Sequence, residues 1–341
     1  MAALHNRINK NELKQKLQDE PFKRITLSFY RYTLLDNPQQ FRDELYRKLS
    51  NIQAFGRIYV AREGINAQMS VPEHSYTTFI EILNALEVTR DIPLKIAVED
   101  NGKSFYKLTI KVREKIVADG LEHGTFDVTN VGKHLTASEF NQYLQQPDTI
   151  VVDMRNRYES EIGHFKNAIL PDVDTFKEEL DKSLELLQGK QQSKILLYCT
   201  GGIRCEKASA WLRHNGFTDV NQLLGGIIDY KRQIDAENLE NLFIGRNFVF
   251  DERMAECITE EIISKCHQCG KPSARQVNCA NDFCHVLFIQ CAQCADAYTN
   301  CCSNKCFTFM QLPASEKLQL KPDLLFKPEG KYIKSKVFGN L

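Results

Sequence analysis

The chain has 341 residues, and its 44 Lys and Arg balance its 44 Asp and Glu, so the formal net charge is zero. Neutrality excludes attraction to nucleic acid through overall charge and leaves any RNA contact to local basic patches. A hydrophobic share of 43% supplies cores for two or three domains, yet no apolar run approaches the roughly 18 residues of a membrane span. The start, Met1-Ala2-Ala3-Leu4-His5-Asn6-Arg7, lacks the apolar core of a signal peptide, so the chain reads as cytoplasmic with no membrane partner. In that compartment its twelve cysteines are expected as thiols, metal ligands or catalytic groups rather than structural disulfides.

Residues 1–120 read as a ferredoxin-like α+β domain. Arg24 to Tyr32 is β-branched and aromatic, which predicts a strand. Asn37-Pro38 opens a helix through Phe41, Leu45 and Leu49, with Asn37 as cap and Pro38 at the first helical position. Strands over Phe55–Val60 and Ile65–Val71 follow, and a second helix runs from Pro72-Glu73 to about Leu86. Strands near Leu94–Val98 and Phe105–Val112 close a βαββαβ order with one extra strand. The stretch Arg62-Glu63-Gly64-Ile65-Asn66 is either a hairpin turn in which Gly64 supplies positive φ or a functional loop. Lys107, Lys111, Arg113 and Lys115 recur at a period of two around Thr109, which on a strand gives one basic face, either solvated or phosphate-binding.

Residues 121–245 carry an α/β pattern with a parallel sheet. Thr136-Ala137-Ser138-Glu139 is a capping box opening a helix, and the near-continuous apolar runs Ile150–Asp153 and Ile195–Tyr198 read as buried parallel strands. The second strand ends in Cys199-Thr200-Gly201-Gly202-Ile203-Arg204, followed by a helical stretch. Strand, tight loop and helix start aim backbone N–H groups and partial positive charge at one point. A thiol there is expected to have a lowered pKa and act as a nucleophile. Gly201 and Gly202 let the loop curl, and Arg204 would stabilise an anion. Asp153, at a neighbouring strand end, is expected to share the pocket as a structural residue. Arg155 and Glu159 would pair on the surface or line the entrance. Cys205 is either a packed thiol or a resolving thiol that closes a disulfide on an oxidised Cys199.

The motifs Asp153-x-Arg155-x3-Glu159, Gly163-His164-x3-Ala168, Cys199-x4-Arg204 and Gly225-Gly226, in this order, resemble the rhodanese (sulfurtransferase) domain from about Val131 to Ile234. That resemblance implies a persulfide or other covalent sulfur intermediate on Cys199 and a structural role for His164. The six-residue span from Cys199 to Arg204 is similar to that of sulfur-handling rhodaneses, whereas related phosphatases carry one residue more.

Residues 246–310 form a cysteine-rich module. Two CxxC pairs, Cys266-x2-Cys269 and Cys291-x2-Cys294, suggest one structural zinc site; Cys279, Cys284, Cys302 and Cys306 suggest a second, leaving Cys301 spare and His267 and His285 as substitutes. A reduced segment without metal, or one cross-linked by disulfides, is the alternative. Residues 311–341 look like a mobile basic tail, with Lys317, Lys321, Lys327, Lys331, Lys334 and Lys336.

Three stretches in chain order widen the likeness: Glu63-Gly64-Ile65-Asn66-Ala67-Gln68; Tyr198 to Ser209; and Asn247-Phe248-Val249-Phe250-Asp251-Glu252-Arg253 ahead of Cys266-His267-Gln268-Cys269-Gly270. Together they resemble the bacterial tRNA uridine(34) hydroxylase family. The resemblance implies oxygen-dependent hydroxylation of the wobble uridine at carbon 5, with molecular oxygen as co-substrate, a tRNA anticodon stem-loop as partner and the required cysteine at Cys199. No flavin, haem or nicotinamide motif is legible. A thiosulfate-type sulfurtransferase and a noncatalytic zinc-bearing RNA-binding protein are the rival classes.

Overall fold

The computed structural model describes residues 9–100, 102–122 and 124–320, so the lysines of the expected tail from Lys321 onward lie outside the described residues. After a short helix α1 (Lys10–Gln18), the N-terminal region builds β1 (Arg24–Tyr32), α2 (Pro38–Asn51), β2 (Phe55–Ala61), β3 (Gly64–Pro72), α3 (Tyr76–Ala85), β4 (Lys95–Ile96) and β5 (Leu108–Val112). Asn37 caps α2 by accepting from the Gln40 N–H, and Phe41, Leu45 and Leu49 form its buried stripe. The strand order β4-β1-β3-β2-β5 is the antiparallel ferredoxin-like sheet with β5 added in parallel beside β2. Period-two alternation divides the sheet. Leu27, Phe29, Ile58, Val60, Ile65 and Ala67 pack under the helices, while Ser28, Tyr30, Arg57, Tyr59, Asn66 and Gln68 face the other way.

Three expectations are corrected here. β5 starts at Leu108 and β4 spans only Lys95–Ile96. The second helix is preceded by a 3₁₀ turn, Glu73–Ser75. The basic stripe breaks at both ends: only Lys111 lies within β5, and Lys115 folds back to donate to Asp119 (2.6 Å) and the Leu121 carbonyl.

The central region comprises β6 (Lys133–Leu135), α4 (Ala137–Leu144), β7 (Thr149–Asp153), α5 (Arg157–Ser160), β8 (Gly163–Phe165), α6 (Phe176–Leu186), β9 (Lys194–Tyr198), α7 (Ile203–His214), β10 (Asp219–Leu223) and α8 (Gly226–Glu237). Its parallel sheet has the order β6-β10-β9-β7. One face packs on α4 and α8 through Phe140, Ile227 and Tyr230, the other on α6 and α7 through Leu180, Ala208 and Leu212. Both faces are therefore buried, as the apolar runs require. The capping box of Thr136 and Glu139 is present.

β11 (Phe243–Phe248) runs across the expected boundary at 245/246, because it pairs with β8 on one side and β12 (Ala255–Cys257) on the other. The cysteine-rich region adds the β13 (Gln276–Asn278) and β14 (Leu287–Ile289) hairpin, α9 (Ala292–Tyr298) and α10 (Asn304–Gln311). The expected tail begins as helix α11 (Ala314–Gln319), where Lys317 donates to the Met310 carbonyl. No helix among the described residues is long and apolar enough to cross a membrane.

Candidate active site

Cys199 follows β9 directly, and its loop is shaped by contact with two other elements. Gly202 has φ +92° and caps α7; a Cβ there would lie 2.8 Å from the Tyr30 hydroxyl. Gly226 opens α8 at φ +69°, where a Cβ would stand 2.5 Å from the Cys199 carbonyl and 2.7 Å from that of Thr200. Only glycine lets α8 press its first turn onto the loop, where Ile227 and Ile228 donate to those two carbonyls. The late Gly-Gly motif thus serves the cysteine loop from outside it.

The Cys199 sulfur is buried, and the Gly202 N–H donates to it at 3.1 Å. Burial alone would push this thiol up. That effect is outweighed by the hydrogen bond from the Cys205 thiol, the Arg204 charge and the Cys205 and Arg204 backbone N–H groups, which together pull it down to about 6. Cys205, fully buried, is pushed up by burial and by its bond to Cys199, so it stays a thiol and donates. Lys95, buried over the Tyr30 ring at 4.4 Å, adds a second cation facing the sulfur; its own pKa is lowered by burial against the pull of Asp229 and Cys199. The expected pH profile follows. The alkylation rate of Cys199 by a small reagent rises as pH passes 6 and flattens above about 7, whereas an ordinary thiol keeps gaining through about 8.5. A stopped-flow pH series on the native protein measures it, and a profile still climbing at pH 8 contradicts the lowered thiol.

The acidic and basic residues of the motifs are buried, not surface-paired. Arg204 forms a bidentate pair with Glu159 at 2.6 and 2.8 Å, and Glu159 also accepts from the Asn156 N–H that opens α5. The guanidinium is occupied by that carboxylate, so Arg204 acts on the sulfur through its field and its backbone N–H rather than by reaching out to an anion. Removing either partner would leave an uncompensated buried charge, worth about 3–5 kcal/mol. Arg155 does not meet Glu159 at the surface. It is fully buried, forked on Asp153 at 2.9 and 2.7 Å, and donates to the Gly163 carbonyl and to Asn247. Asp153 sits beside Tyr198 in register, but its carboxylate is sealed in this pair and does not line the pocket. His164 hydrogen-bonds the Phe165 carbonyl.

The pocket above Cys199 is a cavity of about 350 Å³ whose roof is the polar face of the N-terminal sheet. The loop residues Thr200, Gly201 and Ile203 line its floor, and Phe250 closes one side. The Arg62–Asn66 stretch is both a hairpin turn and a clamp. Gly64 has φ +134°, and Glu63 accepts from Lys207 of α7 (2.9 Å) and from the Ile116 N–H (2.7 Å). Lys207 is buried and also pairs with Asp119 at 2.6 Å. Tyr30 donates to Glu206 and Tyr32 to the Ile203 carbonyl, locking sheet to loop. This roof is not among the residues expected at the site; its signal in the sequence is the polar and aromatic residues alternating with core positions on β1, β2 and β3.

Two cysteine quartets, Cys266/Cys269/Cys291/Cys294 and Cys279/Cys284/Cys302/Cys306, each bring four sulfurs within 4.8 Å of one another and could hold a metal. Cys301 is buried outside both. His267 is outside as well, bonded to Glu161, and His285 joins neither.

Comparison with known proteins agrees with this layout. Residues 24–116 match a UPF0176 acylphosphatase like domain, 136–233 a Rhodanese-like domain and 244–307 a Rhodanase C-terminal region. A rhodanese-like domain of an Anabaena protein, solved by NMR, aligns with 33% of this chain and 78% of its own at 19% identity and a TM-score of 0.27. A tRNA uridine(34) hydroxylase from Leptospira interrogans is 55% identical over 93% of this chain and 87% of its own length. One from Salmonella newport is 51% identical over 92% and 90% respectively. With identity of this order along nearly its whole length, the chain belongs to the tRNA uridine(34) hydroxylase family.

Proposed function

We propose that the chain hydroxylates uridine 34 of tRNA at carbon 5 in the cytoplasm, with molecular oxygen as co-substrate and Cys199 as the reacting group. The observation that carries the reading is a thiolate held by loop N–H groups at the floor of a cavity with a polar and aromatic roof. The relatives' named activity supplies the substrate. Addition of the thiolate to carbon 6 of the uracil would make carbon 5 nucleophilic, and the loop amides and Lys95 would hold the developing negative charge. The base must leave the anticodon stack to arrive there.

The overall reaction takes two electrons: uridine, oxygen and two thiols give 5-hydroxyuridine, water and one disulfide. Cys199 and Cys205, in mutual contact, are the dithiol at hand, and a low-molecular-weight or protein dithiol would return their disulfide to two thiols by exchange, becoming the disulfide itself, before the next turnover. Cys205→Ser retains a donor to Cys199 but removes this electron pair. It should leave the alkylation profile of Cys199 in place and lower steady-state hydroxylation about tenfold or more. Unchanged turnover would remove Cys205 from the mechanism.

The two quartets fit structural zinc. Four sulfurs at about 2.3 Å from one ion stand about 3.8 Å apart, and Cys284–Cys302, Cys302–Cys306 and Cys269–Cys291 are separated by 3.7, 3.7 and 3.6 Å. A disulfide needs about 2.05 Å. The ions would hold the module together and take no part in the reaction.

The direct test is nucleoside mass spectrometry of tRNA from cells lacking their own hydroxylase and supplied with this chain. Restored 5-hydroxyuridine-derived nucleosides at position 34 support the reading. Their absence, with thiosulfate sulfurtransfer by the purified protein, would make sulfur transfer through a Cys199 persulfide the better account.

A further inference from the structure

We infer that the open face of the N-terminal sheet is the base-reading wall of this site, with Gln68 and Asn66 as its specificity residues and Arg57 as the phosphate contact at its mouth. The inference rests on the uridine hydroxylase reading and goes beyond it by assigning recognition to residues outside the cysteine loop.

Strand register lines up two rows across the sheet. Tyr30, Asn66 and Tyr59 lie side by side, and next to them Ser28, Gln68 and Arg57. All six border the cavity that holds Cys199. A sandwich of this type needs helices on one face only, and here α2 and α3 cover that face. The opposite face is neither apolar nor charged throughout: it carries Asn66 between two tyrosine rings and Gln68 in the next row, between Ser28 and Arg57. That combination suits a planar heterocycle, which stacks on rings and hydrogen-bonds at its edge.

The amides are oriented by their neighbours. Asn66 Nδ2 donates to the Ile116 carbonyl at 3.3 Å, which turns Asn66 Oδ1 toward Gln68 Nε2 at 3.5 Å. Gln68 therefore offers its Oε1 as an acceptor and its second Nε2 hydrogen as a donor. Uracil presents a matching N3–H donor beside a carbonyl acceptor. Such a pairing holds the ring from one edge while carbons 5 and 6, on the other edge, are left toward the sulfur.

The inner cavity opens into a larger one of about 910 Å³ that shares Arg57 and Phe250 with it and is bordered by Lys107 and Lys111. Arg57, Lys107 and Lys111 are exposed and make no ion pair among the described residues. Of the three acids on the same groove, Asp251 and Glu252 are already paired, with Arg253 and Lys14, which leaves Asp174 alone to set against the three cations among the described residues. A strand lying in the outer groove would meet these three cations at its phosphates and could insert one base past Phe250 to the wall.

The test uses the full-length protein at limiting expression in cells lacking their own hydroxylase, with tRNA binding and Cys199 alkylation measured on the purified variants. Gln68→Leu is expected to lower position-34 modification about 10- to 100-fold while tRNA affinity and the alkylation pH profile stay close to wild type. Arg57→Ala is expected to weaken tRNA binding several-fold and reduce the slope of log K against log salt by about 1. Should Gln68→Leu not fold, Asn66→Ser carries the same test, with loss of modification expected at retained binding. Wild-type modification in these amide variants, or an unchanged salt slope in Arg57→Ala, overturns the assignment. A wild-type chain that leaves uridine 34 untouched overturns the hydroxylase reading itself, which the parallel wild-type control reveals separately.

Discussion

Cys199→Ala is expected to abolish hydroxylation, lowering it by about 10³-fold or more, which corresponds to roughly 4 kcal/mol in the barrier. The size follows from the way the loop is built. The Gly202, Arg204 and Cys205 N–H groups, the Cys205 thiol and the Arg204 charge all converge on one sulfur. Without it they stabilise nothing. The substitution removes one buried atom and leaves the Glu159–Arg204 pair and the Gly226 contact in place, so the fold and tRNA affinity should change little. Cys199→Ser is the sharper variant, because a hydroxyl can occupy the same donors yet remains protonated near neutral pH. Position-34 nucleosides, tRNA binding and thermal melting measured together decide the matter. Retained hydroxylation in either variant would remove Cys199 from the chemistry, and lost binding would give it a structural role instead.

The second large effect is expected in the cysteine module. The native protein should carry two zinc ions, and Cys302→Ala should reduce this to one and unfold the segment around α10. Binding of a structural zinc is worth on the order of 10 kcal/mol in small domains, and the second quartet's apolar surroundings are few, chiefly Val286, Phe288 and Phe309. Strong chelation should act on both quartets, faster on the first, where Cys269 is exposed and Cys291 half-buried. The loss would reach the site, because Gln276 donates to the Tyr158 carbonyl and His267 bonds Glu161, next to the α5 turn that carries Glu159. Metal content by mass spectrometry and amide exchange over residues 260–310 provide the readout. A metal-free protein with full protection there would refute the zinc assignment.

Much of this was legible because it is locally encoded. β1 matches its expected limits, the Asn37 and Thr136 caps are where the sequence puts them, and Cys199 stands at a strand end before a helix. The first cysteine quartet joins two CxxC pairs, each a local turn; the second, Cys279-x4-Cys284 with Cys302-x3-Cys306, contains no CxxC, and its pairing needs the fold. What could not be read are partners far away in sequence. Arg155 and Glu159 read as a surface pair or as lining the entrance because nothing nearby shows that Asn247, 92 residues on, and Arg204, 45 residues on, meet them in the interior. β4 stops early for the same reason: the Thr26 N–H, which would return the next ladder bond to β4, donates instead to the Asp100 carboxylate 74 residues away. The roof of the site stayed hidden because polar residues on a half-open sheet look like solvent-facing ones until the opposing surface is known.

The Glu63–Lys207 clamp joins residues 144 positions apart, and this has a consequence for how the protein is made. The N-terminal sheet leaves the ribosome well before α7 exists, and its second face stands uncovered for as long as synthesis of the intervening stretch takes. An apolar face would invite association with other nascent chains during that wait. Ser28, Asn66, Gln68 and Arg57 keep it wettable. The side chains assigned here to reading a base would therefore also let a half-built protein wait safely for its other half.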